Sequence, residues 1–265
     1  MKRIALLTLA VLLSSSAALA GDNEWRLRIK KEADGWTASF NGPIDYGSGK
    51  NRVRGSGVVV EKQRALGSFS KLRMEGSFDV RLNQAGTDQA TVVADDNIEA
   101  LIETVVEGDT LVVRLKRDAG FTTRSVPSVR VDARALQAIA VNGSGDLIVE
   151  RFKADALSLG IVGSGDVQFG LLDVRDLAVT LSGSGDLRLA GRAEQQAWTV
   201  SGSGDVDARA LAGRSAKVSL SGSGDMALGV TEQLDVQIGG SGDLSYAGRP
   251  QLRQSVSGSG EILRR

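Results

Sequence analysis

The chain has 265 residues, with 32 basic and 32 acidic side chains, no net charge, and neither cysteine nor histidine. This balance of charge provides no basic surface that would neutralise nucleic-acid phosphates, so nucleic acid is not expected as a partner. The two absent residue types exclude disulfides, thiolate zinc sites and histidine as the general base of nucleophilic catalysis.

The first twenty residues have the layout of a secretory signal peptide. Lys2 and Arg3 precede an apolar run from Ile4 to Leu13, and small residues follow at Ala18-Leu19-Ala20. Residues 1–20 are therefore predicted to be removed during export, which leaves the protein in the periplasm, on the cell surface or secreted. The apolar run is shorter than the ~20 residues of a membrane-spanning helix, so no transmembrane segment is expected after signal removal.

Residues 21–54 are predicted to form an N-terminal hairpin followed by a polar loop. Apolar and polar residues alternate in 25–29 and again in 36–40, on either side of a turn at Ala33-Asp34-Gly35. The loop is expected between Gly42 and Gly57. We expect the hairpin to cap the first coil of the domain that follows, because the end of a β-solenoid exposes unpaired strand edges. Binding of a partner is the alternative role.

Residues 55–141 read as β-strands without a regular period and are predicted to form irregular coils. Glu75-Gly76-Ser77-Phe78-Asp79 is a variant of the corner sequence that repeats further along the chain, with Phe78 in place of a glycine. Only the segment 95–106 shows a helix-like spacing of apolar residues. A single short helix or an extended segment is expected there, with Asp95 and Asp96 as helix caps.

Residues 142–265 repeat a Gly-Ser-Gly-Asp sequence, whose acidic positions lie 20, 20, 19, 20, 18 and 18 residues apart. Aliphatic residues alternate on both sides of each repeat, so one strand enters each corner and another leaves it. The sequence therefore predicts an all-β fold, a parallel β-solenoid with coils of about 18–20 residues. Equivalent residues would stack ~4.8 Å apart. The acidic residues of the corners are Asp146, Asp166, Asp186, Asp205, Asp225, Asp243 and Glu261.

This acidic column is the one group of residues whose side chains suggest a chemical role. Neighbouring carboxylates at that spacing would repel by about 0.9 kcal/mol even in water, so something should offset the repulsion. One interpretation is that each carboxylate accepts backbone N–H bonds within its own corner. The other is a ladder of calcium ions held by Asp146, Asp166, Asp186, Asp205, Asp225 and Asp243, because calcium favours carboxylate oxygens in turns. No cofactor other than calcium is expected, and the sequence indicates no catalytic residue.

Two other features of the repeats are interpreted as structural. The corner serines, Ser144 to Ser259, have no histidine or regularly spaced lysine to activate them, so hydrogen bonding within the corner is expected rather than catalysis. Trp198 occupies the position of Val179 and Val218 in neighbouring repeats. It is therefore expected to be buried in the core rather than to stack on a ligand.

The ordered set of motifs resembles one family. The motifs are Gly55-Ser56-Gly57-Val58, the segments 67–72 and 75–80, Ala94-Asp95-Asp96-Asn97-Ile98, and the repeated corners up to Leu244-Ser-Tyr246-Ala-Gly248. Over residues 55–265 they are similar to the putative auto-transporter adhesin head GIN domain family, a group of exported bacterial domains of unknown function. The resemblance implies a right-handed, single-stranded β-helix in a cell-envelope or surface setting.

The sequence favours a non-enzymatic, exported envelope protein that acts as an adhesin-like binding or structural module. The expected partner is an envelope protein, a polysaccharide or a second copy of the chain. A carbohydrate-active β-helix enzyme is the first alternative. It would require a groove in which acidic and basic side chains break the repeat, since an active site needs a unique cluster. A calcium-binding structural solenoid is the second alternative.

Overall fold

A computed structural model describes residues 27–32, 35–40, 43–49 and 51–265. The predicted signal peptide (1–20), Trp25 and the centre of the predicted turn at 33–34 lie outside this range. The structure divides into two compact units between residues 43 and 44. In the first, strands β1 (Leu27–Glu32) and β2 (Gly35–Phe40) pair antiparallel. The capping of the first coil by this hairpin stays a prediction.

The second unit is built of strands, with one 3₁₀ turn at Glu99–Leu101. None of its described helical segments has the length and apolar character needed to cross a membrane. The strands are β3 (Ile44–Tyr46), β4 (Asn51–Arg54), β5 (Val59–Ala65), β6 (Lys71–Gly76), β7 (Asp79–Gln84), β8 (Gln89–Asp95), β9 (Ile102–Glu107), β10 (Thr110–Leu115), β11 (Ala119–Thr123), β12 (Ser128–Ala133), β13 (Ala138–Gly143), β14 (Leu147–Gly163), β15 (Val167–Gly183), β16 (Leu187–Gly202), β17 (Val206–Leu220), β18 (Met226–Ile238), β19 (Leu244–Ala247), β20 (Gln251–Val256) and β21 (Ile262–Arg264).

Strands β13 to β21 stack in parallel and confirm the predicted β-solenoid. Each of β14 to β17 runs from one corner towards the next, and each pairs in parallel with the strand of the following coil. The first corner glycines align in one register, Gly143 with Gly163, Gly183 and Gly202. We number the coils from this register: coil 1 (71–84), coil 2 (138–157), coil 3 (158–177), coil 4 (178–196), coil 5 (197–216), coil 6 (217–234), coil 7 (235–252) and coil 8 (253–265).

The variant corner at residues 75–79 belongs to the same stack. Gly76 of β6 pairs with Gly143 of coil 2, and Val80 of β7 pairs with Leu147. The predicted degenerate corner is therefore confirmed. On its other side, β6 pairs in parallel with β10 and β7 with β12. The strands of residues 110–133 thus precede coil 1 in the stack although they follow it in the sequence.

Antiparallel strands cover the N-terminal end of the stack, where the sequence predicted only irregular coils. Strand β9 pairs antiparallel with β10, β8 with β12, and β5 with β8. Helix formation in 95–106 is limited to the 3₁₀ turn, and Asp95 and Asp96 do not cap it, since Ile98 stands at the N-cap without a side-chain bond. Ile98 and Ile102 are buried. Pairing with β10 satisfies the backbone of 102–107, which explains the extended conformation.

A small sheet adjoins this end, formed by β11 between β3 and β4. The predicted polar loop of residues 42–57 therefore contains two short strands. Tyr46 of β3, Phe78 of the first corner and Phe121 of β11 stack their rings, with centroids 4.9 Å apart for Tyr46 and Phe121 and 5.8 Å for Tyr46 and Phe78. All three side chains are buried. They form an aromatic plug at the start of the corner column.

The core of the solenoid is mainly aliphatic, as the composition predicts, and fills the space between the stacked coils. Trp198 is 2% exposed and lies in register with Val179 and Val218, which confirms its predicted burial. Its indole N–H donates to the Gln196 side-chain oxygen at 3.0 Å. A buried indole needs such an acceptor, which accounts for a glutamine in a row otherwise occupied by leucine and alanine.

Candidate functional site

The corner carboxylates form one column, and each except the last, Glu261, is bonded to the corner of the next coil rather than to its own. Oδ1 of Asp166 accepts the backbone N–H of Asp186 at 2.9 Å, and the carbonyl oxygen of Asp186 accepts the N–H of Val167 at 2.9 Å. The same carboxylate bond recurs from Asp79 in coil 1 to Glu261 in coil 8, at 2.8–3.2 Å. At each corner the chain leaves the strand direction, and there the aspartate side chain accepts the hydrogen bond from the next coil that a backbone carbonyl accepts within a strand.

All six residues predicted as calcium ligands therefore share one face, and Asp79 extends their column to coil 1. One oxygen of each carboxylate is used by the backbone bond, which leaves Oδ2 for a cation except in Asp186, whose Oδ2 lies 3.5 Å from Nη2 of Arg188. Within the part of the chain that the structure describes, no three acidic residues converge in the way a single metal site requires. A calcium ladder would have to use one oxygen per coil together with water, and it stays a prediction.

Replacing Asp205 distinguishes two roles of the corner carboxylates, the hydrogen bond to the next coil and the binding of calcium. Asp205→Ala should lower the free energy of unfolding by about 1 kcal/mol, because the N–H of Asp225 loses its acceptor. Asp205→Asn keeps an acceptor oxygen and should retain stability. Thermal melting of both variants and the unchanged protein, in calcium and in a chelator, checks this. A calcium-dependent rise in the melting temperature that Asp205→Asn diminishes would establish the ladder; coincident curves would reject it.

The corner serines play a different part from the one predicted. Their backbone N–H groups bond to the first glycine of the preceding coil, as Ser184 does to the carbonyl of Gly163 at 2.9 Å. No hydroxyl of Ser144, Ser164, Ser184, Ser203, Ser223, Ser241 or Ser259 makes a hydrogen bond to another described residue. These side chains are exposed. They add a column of free hydroxyls beside the carboxylates.

A groove of about 330 Å³ lies along the acidic column between coils 4 and 8. It opens because Ala227 and Ser245 occupy the row in which coils 4 and 5 carry Arg188 and Asp207. We call it the corner groove. It does contain acidic and basic side chains that break the repeat, the feature that the enzyme hypothesis requires. They are Arg188, Asp207, Arg209 and Arg265.

The best-defined charge interaction of the corner groove is the ion pair between Arg209 and Asp207. Arg209 holds Asp207 through two nitrogens, Nε lying 2.9 Å from Oδ1 and Nη2 lying 2.5 Å from Oδ2. Hydrogen bonding from Arg209 lowers the pKa of the Asp207 carboxyl below its ordinary value. Asp207 therefore stays ionised near neutral pH, which is opposite to what a general acid in glycoside hydrolysis requires.

A larger groove, of about 520 Å³, crosses coils 2 to 7 and is lined mainly by residues within strands β14 to β18, several residues ahead of each corner. We call it the coil groove. Two outward-facing rows line it, with a buried row between them that contains Leu157, Leu177, Gln196 and Ala216. The first outward row is Ala156, Asp176, Gln195, Ser215 and Gln233. The second is Ser158, Ala178, Ala197, Lys217 and Asp235.

One carboxylate of the coil groove has an unused oxygen. Oδ2 of Asp235 accepts the side-chain amide of Gln233 at 2.9 Å, whereas the buried Oδ1 has no hydrogen-bond partner among the described residues. Lys217 and Arg253 lie in register on either side of Asp235, yet neither forms an ion pair with it among these residues. Buried acceptors are normally satisfied, so a donor from water or from a ligand would complete the hydrogen bonding of this oxygen.

Sequence reasoning did not identify the coil groove. Its outward rows hold alanine, serine, glutamine, aspartate and lysine, which keep no common residue type from coil to coil. The available signal was Gln196, a polar residue in an apolar row, together with the charged residues Lys217 and Asp235 at positions where coils 4 and 5 have alanine.

Comparison with known proteins gives one family and several solved structures. The sequence model of the family described as "Putative auto-transporter adhesin, head GIN domain" matches residues 68–250. A putative adhesin from Bacteroides fragilis shares 25% identity, with a TM-score of 0.75 over 80% of this chain and 100% of that one. No curated protein matches.

Two further crystal structures are similar in fold. A putative lipid binding protein from Parabacteroides distasonis has a TM-score of 0.67 and 24% identity, over 81% of this chain and 100% of that one. A putative adhesin from Parabacteroides merdae has a TM-score of 0.65 and 21% identity, over 81% of this chain and 99% of that one.

Proposed function

The chain belongs to the putative auto-transporter adhesin, head GIN domain family, and we propose that it is a non-enzymatic, exported binding module of the cell envelope that holds a linear, neutral polysaccharide in the coil groove. The observation that carries this proposal is the unpartnered, buried Oδ1 of Asp235 in a groove lined by amides and hydroxyls.

Export and an envelope setting are supported by the predicted signal peptide and by the family. The related structure from Bacteroides fragilis is described as a putative adhesin, a class that binds surface partners. The stacked coils suit that role because a solenoid presents a rigid, extended surface to a long ligand. One structure of the same fold is described as a putative lipid binding protein.

A polysaccharide suits the chemistry of the coil groove. Sugar hydroxyls are both donors and acceptors, so they can serve the free carboxylate oxygen of Asp235 and the side-chain amides of Gln195 and Gln233. Ala178 and Ala197 leave room in coils 4 and 5 and offer apolar surface to the C–H faces of sugar rings. The rows recur every ~4.8 Å along the stack. A linear polymer lying along the axis therefore meets repeated contacts.

Affinity electrophoresis through gels containing purified neutral cell-wall polysaccharides tests this proposal. We expect retardation by at least one of them, and about tenfold or greater weakening by Asp235→Ala, the loss typical of a hydrogen bond to a charged group. Asp173→Ala is the matched control, since Asp173 is an exposed carboxylate paired with Lys153 outside the groove. Ala197→Arg should fill the groove and abolish retardation.

The proposal fails if no neutral polysaccharide retards the protein, or if Asp173→Ala weakens binding as much as Asp235→Ala. An assay for new reducing ends on the retained polysaccharide addresses the enzyme alternative. We expect none, because Asp207 of the corner groove is held ionised by Arg209. Release of reducing ends that Asp207→Asn abolishes would favour a glycoside hydrolase instead.

A further inference from the structure

The C-terminal end of the stack combines positive charge with exposed apolar side chains. Residues 244–265 contain four arginines, Arg249, Arg253, Arg264 and Arg265, and a single acidic residue, Glu261. None of these arginines forms an ion pair with another described residue. By contrast, Arg175, Arg192 and Arg214 on the flank of coils 3 to 5 pair with Asp176, Glu194 and Glu232. The charge at this end is therefore left available.

Two large apolar side chains at the same end are exposed. Val256 and Leu263 of coil 8 are each 43% exposed, whereas Ile238, which pairs with Val256, and Val236 and Leu244 of coil 7 are buried. Tyr246 and Ile262 are partly buried beside them. A surface that combines arginine, leucine and tyrosine is typical of proteins that rest on the headgroup region of a bilayer.

The backbone at this end also has free donors. Strand β20 pairs only with β18 and β21 only with β19, so the outer edges of both strands have no partner among the described residues. At the opposite end of the stack, the Arg64 guanidinium covers the carbonyl oxygens of Ile102 and Glu99. Free N–H groups beside arginines provide the donors that phosphate oxygens accept.

We propose that the C-terminal end of the solenoid, formed by β20, β21 and the loop that carries Arg249, docks end-on onto the surface of an anionic phospholipid bilayer. The guanidinium groups and the free edge N–H groups bind headgroup phosphates, and Leu263 and Val256 enter the interfacial region. This docking leaves the coil groove, which runs along the side of the stack, open to its ligand. Charge complementarity selects the lipid, because a neutral surface offers the arginines no counter-charge.

Sedimentation with phospholipid vesicles tests the inference. The full protein should bind vesicles that contain phosphatidylglycerol and should not bind vesicles of phosphatidylcholine alone, and salt should weaken the binding. Each arginine near an anionic surface is worth roughly a fivefold change in affinity, so the double variant Arg264→Gln, Arg265→Gln should bind about 25-fold more weakly. The control Arg192→Gln, Arg214→Gln changes net charge equally on the flank and should bind as the unchanged protein does.

A second variant separates a bilayer from other anionic partners. Leu263→Ser should weaken vesicle binding while leaving the melting temperature nearly unchanged, because the Leu263 side chain is exposed, pairs in register with Ser245 and lies outside the core. Binding to soluble dextran sulfate that Leu263→Ser leaves unaltered, and that equals vesicle binding, would identify a polyanion instead and overturn the proposal. So would a dimer that Arg264→Gln, Arg265→Gln dissociates, or equal loss in the flank control. Because the readout uses vesicles and no polysaccharide, its failure would leave the function proposed for the coil groove standing.

Discussion

Gly185→Ala is expected to destabilise the protein by more than about 4 kcal/mol, the range of severe backbone and packing clashes. A Cβ atom at Gly185, the second glycine of its corner, would lie 2.1 Å from the carbonyl oxygen of Gly165 in the preceding coil. The backbone fixes the positions of both the added Cβ atom and the carbonyl oxygen, so no side-chain rotation relieves the clash. Urea unfolding followed by circular dichroism measures the effect, with loss of the soluble folded protein as the extreme result.

Gly160→Ala is the matched control for this prediction. Gly160 is also a strand glycine of the solenoid, but a Cβ there would meet nothing within 4 Å. We expect its free energy of unfolding to stay within about 0.5 kcal/mol of the unchanged protein, as for other surface substitutions. Equal stability of the two variants would show that the coils do not approach each other as closely at Gly185 as the structure indicates.

Phe78→Ala is expected to lower the free energy of unfolding by about 3–5 kcal/mol, the usual cost of emptying a buried phenylalanine site. Phe78 occupies the position of the second corner glycine in coil 1. In later coils a Cβ at this position would clash with the preceding corner, as at Gly185, whereas at coil 1 the place is taken by the rings of Tyr46 and Phe121. The side chain therefore closes the column where no earlier corner exists.

Chemical denaturation of Phe78→Ala and Phe78→Leu measures this effect. Phe78→Leu keeps most of the buried volume and should lose about half as much stability as Phe78→Ala. Val162→Ala, at a residue that is 54% exposed, is the control for general loss of apolar surface and should change little. The aromatic plug would be disproved by a Phe78→Ala variant as stable as Val162→Ala.

The two substitutions show how far local sequence reasoning reached. The Gly-Ser-Gly-Asp corners were predictable because each coil imposes on the next the same close approach, which only glycine allows, and the same carboxylate bond. The variant corner at residues 75–79 was recognisable for the same reason. The partner of each carboxylate was not, since a bond within the corner and a bond to the next coil require the same aspartate.

The N-terminal end was less predictable because its contacts are not repeated. The aliphatic runs in 55–141 indicated strands, yet the stacking of β10 on β6 joins residues far apart in sequence. Ile98, Leu101, Ile102 and Val105 have the spacing of a helix face, but the end of a stack offers unpaired β-strand edges, and pairing with β10 decided the conformation of 102–107.

The sequence by itself therefore determined the solenoid, the length of its coils and the burial of Trp198. In a repeated structure the same contact between neighbouring coils recurs in every coil, so it requires the same type of residue at a fixed period in the sequence. Only the tertiary structure decided the antiparallel cover, the coil groove with Asp235 and the accumulation of unpaired arginines at the C-terminal end. Each of these depends on residues from different coils that meet once, and a contact made once leaves no period in the sequence.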